Sequence, residues 1–114
     1  MVITLNGTGI DLTDAIKVYA ESKIAGLAKY FDNITKAEID VGITTHHHQK
    51  GQIYYAEVNL HVPGRILRVA KQEENLYKAI DKVKDHFKVE LEKMKGKMRD
   101  QDRKELRGQK GYQE

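Results

Sequence analysis

Between Glu74 and Met98 the apolar residues Leu76, Ile80, Val83, Phe87, Leu91, Met94 and Met98 recur at intervals of three and four. That is the spacing of one narrow stripe along a helix. Such a helix must lay its stripe on an apolar surface, and its remaining residues are free to carry chemistry. Lys84, Lys88 and Lys95 fall on one flank of the stripe, and Lys82, His86, Lys93 and Lys97 on the other. Glu74, Asp81, Asp85 and Glu92 are left near the outward-facing back. A helix that needs only solubility scatters both signs of charge. Cations that border a buried seam suggest a polyanionic partner.

A chain of 114 residues supports one compact domain. With 32% of residues charged and 7% aromatic, its core must be thin, most simply one sheet covered by helices on one side. There is no cysteine, so no disulfide frame or thiol chemistry is available, which fits a reducing cytosol. No leader-like region opens the chain and no apolar run reaches membrane-spanning length, so a soluble cytoplasmic protein is expected. Residues 1–94 hold thirteen Lys/Arg and thirteen Asp/Glu, so the net charge of +3 comes entirely from residues 95–114. The division expected is a folded domain over 1–97 and a basic, flexible tail over 98–114, an arm suited to following phosphates.

The pattern upstream alternates between the two periods. Val2–Asn6 predicts a strand and Gly7-Thr8-Gly9 a turn. Thr13 suits the N-cap of a helix whose stripe is Ile16, Ala20, Ile24, Leu27 and Phe31, ending at Asp32-Asn33. Lys36–Thr45, Ile53–Val62 and Arg65–Lys71 then predict strands, the first two alternating, with a polar turn at His46–Gln52 and a tight one at Pro63-Gly64. The fold class predicted is therefore α+β, in the order β-α-β-β-β-α. The first helix makes a right-handed crossover between parallel strands, giving a four-stranded mixed sheet with both helices on one face. The other face, with Glu38, Asp40, Tyr55, Glu57, Asn59, His61 and Arg68, is mixed in sign and a poor platform for nucleic acid.

On the first helix Lys23 borders the stripe beside Tyr19 and Tyr30, and Lys29 lies further round. One reading has Lys23 and the Lys82/Lys93 flank lining a shared groove for phosphates, with tyrosines as stacking groups. The plainer reading has lysines that extend over the core edge and tyrosines that only pack. Pattern alone leaves both open. His46-His47-His48 is read as a solvated turn, because adjacent residues cannot all converge on one ion. No nucleophile elbow, phosphate-binding glycine loop or metal-ligand spacing is present, and the carboxylates are dispersed rather than paired. No enzyme activity, cofactor, metal or small-molecule substrate is expected.

Several segments together resemble the ribosome hibernation promoting factor and protein Y family. They are Ile3-Thr4-Leu5-Asn6-Gly7, Asp11-Leu12-Thr13-Asp14-Ala15-Ile16, Leu27-Ala28-Lys29-Tyr30-Phe31 and Glu74-Asn75-Leu76-Tyr77-Lys78-Ala79-Ile80-Asp81. The resemblance covers roughly residues 2–97 and is to the short form. It implies a monomer off the ribosome that binds the small ribosomal subunit and its RNA in the decoding channel. There it would block the messenger and transfer RNA sites and silence idle ribosomes. Carried over by position, Lys23, Lys29, Lys93 and Lys95 match basic positions of the family. Lys82, His86, Lys88, Lys97 and Arg99 complete the expected RNA-binding set, from their place on the helix and the segment after it. His86 and Val89 stand where the family commonly has Lys and Arg, and Thr8 where it often has Arg, which makes those contacts doubtful. His86 would make binding weakly pH-dependent. One rival is a double-stranded RNA-binding domain, against which stand Glu73 and Glu74, acidic where such domains place lysines. Another is a protein-interaction module using Ile53, Tyr55 and Ile66 on the open sheet face.

Overall fold

The computed structural model describes residues 1–44 and 51–112, with side chains described for 1–44 and 51–97. Strand β1 (Val2–Thr8) is followed by helix α1 (Asp14–Ala25), a single 3-10 turn (Gly26–Lys29), strands β2 (Lys36–Ile43), β3 (Tyr54–Val62) and β4 (Arg65–Glu73), and helix α2 (Leu76–Tyr112). The sheet order is β1-β2-β3-β4. β1 runs parallel to β2 across the α1 crossover, and the other two pairings are antiparallel. The predicted α+β class, element order and mixed sheet are those observed. The His46–His48 turn lies outside the described residues.

Local chemistry sets most of the boundaries. Thr13 caps α1, its hydroxyl accepting from the Ile16 amide at 3.2 Å. The helix was expected to run to Asp32, but it tightens at Gly26 into the 3-10 turn. Leu27 and Phe31 stay buried through that change. Pro63 and Gly64 join Val62 to its partner Arg65, with Gly64 at φ +80°, a value that suits glycine in a type II turn. Strand β4 continues to Glu73, so α2 starts later than predicted. Asn75 is its cap, accepting from the Tyr77 amide at 2.8 Å and the Lys78 amide at 3.4 Å.

The core lies between the sheet and the helices. Ala20 and Ile24 of α1 and Leu27 of the 3-10 turn meet Ile80, Val83, Phe87 and Leu91 of α2 over Ile39, Val41, Val58 and Leu60 of the sheet. Phe87 is fully buried, and no buried polar or charged residue occurs among the described residues. That leaves every charge on the surface, where the folding of α1 against α2 sorts them. At 37 residues α2 is about 55 Å long. Its backbone is helical through 98–112.

Candidate nucleic-acid interface

Contacts between the helices advance in step along both of them. Tyr19 meets Tyr77 edge to face, with ring centroids 4.8 Å apart, and its hydroxyl donates to Asp81 at 2.5 Å. Lys23, one turn further along α1, lies 4.0 Å from the same carboxylate and 5.4 Å from the centre of the Tyr19 ring. Past the 3-10 turn, Tyr30 takes Lys29 at 5.6 Å and Lys88 at 5.5 Å from its ring centre. A recess of about 280 Å³ opens beside it, lined by Lys29, Tyr30, Glu92, Lys95 and Gly96. The two helices thus lie side by side, with a groove between them.

This geometry corrects the predicted groove. The flank of α2 that faces α1 is the one with Lys88 and Lys95, not the one with Lys82 and Lys93. Lys82 points the other way and pairs with Glu73 at the end of β4. His86 and Lys93 each stand 3.9 Å from Glu90 on that same far flank, and Lys97 follows them one turn on. Asp81, expected on the outward back, faces α1. Helical spacing gives angles around one axis, and only the neighbouring helix defines which angle is the groove.

Pairing then separates the cations into two groups. Lys23, Lys82 and Lys93 each have a carboxylate partner. Among the described residues no carboxylate forms an ion pair with Lys29, Lys88 or Lys95, and Glu92 is the one acid lining the recess of Lys29 and Lys95. These lysines come from two different elements, yet the Tyr30 ring holds two of them close through cation–π contact. An ammonium without a counter-ion, held beside an aromatic ring, is ready to take a phosphate. Tyr19, by contrast, is occupied: its hydrogen bond to Asp81, then burial and the negative field of that carboxylate, push its phenol up to about 12. Arg99 lies beyond the residues whose side chains are described. At the opposite end of the groove an apolar recess of about 420 Å³, lined by Ile10, Ile16, Tyr54, Leu76 and Tyr77 with Glu74 and Asn75, contains no Lys or Arg.

The Tyr30–Lys88 junction could be found from sequence only by knowing how α1 lies on α2. The segment 74–81, in contrast, reads directly once it is placed. Asn75 caps, Leu76 and Ile80 enter the core, Ala79 is fully buried, Tyr77 braces Tyr19, and Asp81 ties the helices.

Residues 3–99 match the family described as sigma 54 modulation protein / S30EA ribosomal protein. The chain belongs to this family. Among similar members of it, the ribosome hibernation promoting factor of Azotobacter vinelandii is 35% identical over 85% of this chain and 85% of its own. That of Acidithiobacillus ferridurans is 31% identical over 71% of this chain and all of its own. The chain spans 49% of the length of the ribosome hibernation promotion factor of Deinococcus radiodurans, at 30% identity. Among solved structures, the N-terminal domain of Thermus thermophilus protein Y superposes with a TM-score of 0.71 at 29% identity, covering 82% of this chain and 99% of that one. The resemblance to ribosome hibernation promoting factors and protein Y seen in the sequence is therefore a true membership. No described helix is long and apolar enough to cross a membrane.

Proposed function

We propose that this protein is a ribosome hibernation factor. It docks the α1–α2 groove on ribosomal RNA of the small subunit, in the decoding channel, and its body excludes messenger and transfer RNA. The observation that carries this reading is the Lys29–Tyr30–Lys88–Lys95 cluster, a set of cations without internal partners on a chain that matches the S30EA family from 3 to 99. Relatives bearing the name ribosome hibernation promoting factor support the biological role. Lys29, Lys88 and Lys95 are its primary phosphate contacts. Lys82, His86, Lys93 and Lys97 are secondary ones, because all but Lys97 must first give up, or share, a nearby acid, whereas Lys23 already serves as the counter-ion of Asp81. Arg99, further along the same helix, is one more proposed contact. The protein works in the cytoplasm as a single copy, with no cofactor.

Recognition of this kind depends on shape and phosphate position, since the major groove of folded RNA is too narrow for side chains to read. Binding releases counterions, so affinity falls linearly with salt on a logarithmic scale. The test is to sediment ribosomes from starved cells through a gradient and locate the protein. It is expected with small subunits and whole ribosomes at low salt and free at high salt. Absence from every small-subunit fraction, or equal affinity for a plain RNA duplex, overturns the reading.

A further inference from the structure

Between α1 and α2 the groove holds a carboxylate, Asp81. Asp81 accepts from the Tyr19 hydroxyl at 2.5 Å and stands 4.0 Å from the Lys23 ammonium. Its side chain is 45% exposed, so its charge is presented to the groove and to anything entering it. Tyr77 braces the Tyr19 ring edge-on, and Lys23 lies over the same ring. Four side chains from two helices therefore form a closed set around one negative charge. Two turns further along α2, Lys88 lies over the Tyr30 ring with no ion pair among the described residues, and beside that ring Lys29 and Lys95 line a recess with a single acid, Glu92. One half of the groove holds a lysine matched by a carboxylate, and the other holds three lysines against one acid.

We infer that Asp81 divides the groove: it keeps Lys23 as its own counter-ion and excludes phosphate from the N-terminal half, confining a polyanion to the Lys29–Lys88–Lys95 end. This rests on the proposal that the groove meets RNA, and it adds a residue that determines specificity. A flexible polyanion able to run the full length of the groove meets a like charge midway. A folded RNA with phosphates only at the C-terminal half does not. The same carboxylate joins the helices through Tyr19, so discrimination and helix registry are set by one side chain.

The test is a double-mutant cycle with Lys23→Gln and Asp81→Asn, measured on purified small subunits and separately on heparin. Lys23→Gln alone should stay within about twofold of wild type on both, whereas Lys29→Gln weakens both. Asp81→Asn should raise heparin affinity about three- to tenfold and steepen the salt slope by about one charge. Adding Lys23→Gln to it should remove that gain. Asparagine keeps the shape and can still accept from Tyr19, and the melting midpoint of each variant reports the fold. Should Asp81→Asn melt early, the comparison of Lys23→Gln with Lys29→Gln in the wild-type background decides alone. A Lys23→Gln loss equal to that of Lys29→Gln overturns the inference. So does an Asp81→Asn variant that binds heparin no better at an unchanged midpoint. Failure of the wild type to bind subunits, with the heparin cycle as expected, refutes the ribosomal reading and leaves the divided groove standing.

Discussion

The open sheet face and the helical groove are built from similar numbers of charges and treat them in opposite ways. On the sheet face, Glu38 meets His61 at 2.5 Å and Lys36 at 3.9 Å, and Arg68 meets Glu57 at 2.7 Å. Asp40 accepts from Tyr55 at 3.2 Å and from Thr8 at 3.4 Å. Tyr55 can lie there because Gly42 opposite it has no side chain; a Cβ would come within 2.3 Å of the Thr8 carbonyl oxygen and 2.8 Å of the Tyr55 ring. In the groove, Lys29, Lys88 and Lys95 form no ion pair among the described residues. Counting charges would not separate the two surfaces. Asking which charges the fold has already neutralised does, and it points a polyanion to the groove alone.

The largest expected effect tests that contrast directly. Changing Lys29, Lys88 and Lys95 together to Gln should lower small-subunit affinity by roughly 100-fold and reduce the salt slope by about three, because three phosphate contacts are lost. Changing Lys36 and Arg68 to Gln on the sheet face should leave affinity within about twofold. Equal losses from both variants, by sedimentation or fluorescence titration, would erase the distinction between the faces.

A smaller effect lies in the pH dependence of stability. The His61 hydrogen bond, aided by the charges of Lys36 and His61, holds the Glu38 carboxyl below its ordinary value of 4.5. A depressed carboxyl contributes stability above that value and loses it as pH falls through the lowered one. Wild type should therefore melt higher than Glu38→Gln near neutrality, with the gap closing only in acid below about pH 4.5. A gap that is constant through the acid range would mean the sheet-face pair is not formed in solution.

The smallest effect is spectroscopic. Of the six tyrosines, Tyr19 should ionise late, near 12. A raised phenol contributes stability that is complete below its ordinary value of 10.0 and is lost as pH rises through the higher one. Phenolate absorbance should show one late component that Tyr19→Phe removes. If Asp81→Asn leaves that component in place, Tyr19 is not held by the carboxylate.

Most of the fold was legible because it depends on local rules. The stripe from Leu76 to Met94, the alternation from Ala37 to Ile43 and the Thr13 cap each follow from residues a few positions apart. The start of α2 was misplaced by the acidic pair Glu73-Glu74, which reads as a helix start but ends a strand, with Asn75 as the true cap. The site was only half legible. Lys29, Lys88 and Lys95 all belong to the expected set, but the spacing and the resemblance put the groove on Lys23 and the Lys82/Lys93 flank instead. Nothing in the spacing shows that Asp81 and Glu90 stand beside Lys23 and Lys93.

The sequence by itself determined which residues are buried, in which order the elements follow, and that cations flank the stripe of the long helix. Those are consequences of periodicity, which acts within one element. Only the tertiary structure decided which flank of α2 becomes the wall of a groove, which lysines there go without an ion pair, and that Asp81 holds Lys23 at the other end. Such relations join Tyr19 to Asp81 and Tyr30 to Lys88 across about sixty residues of chain. They depend on where one helix axis lies relative to another, and a single helix carries no information about that.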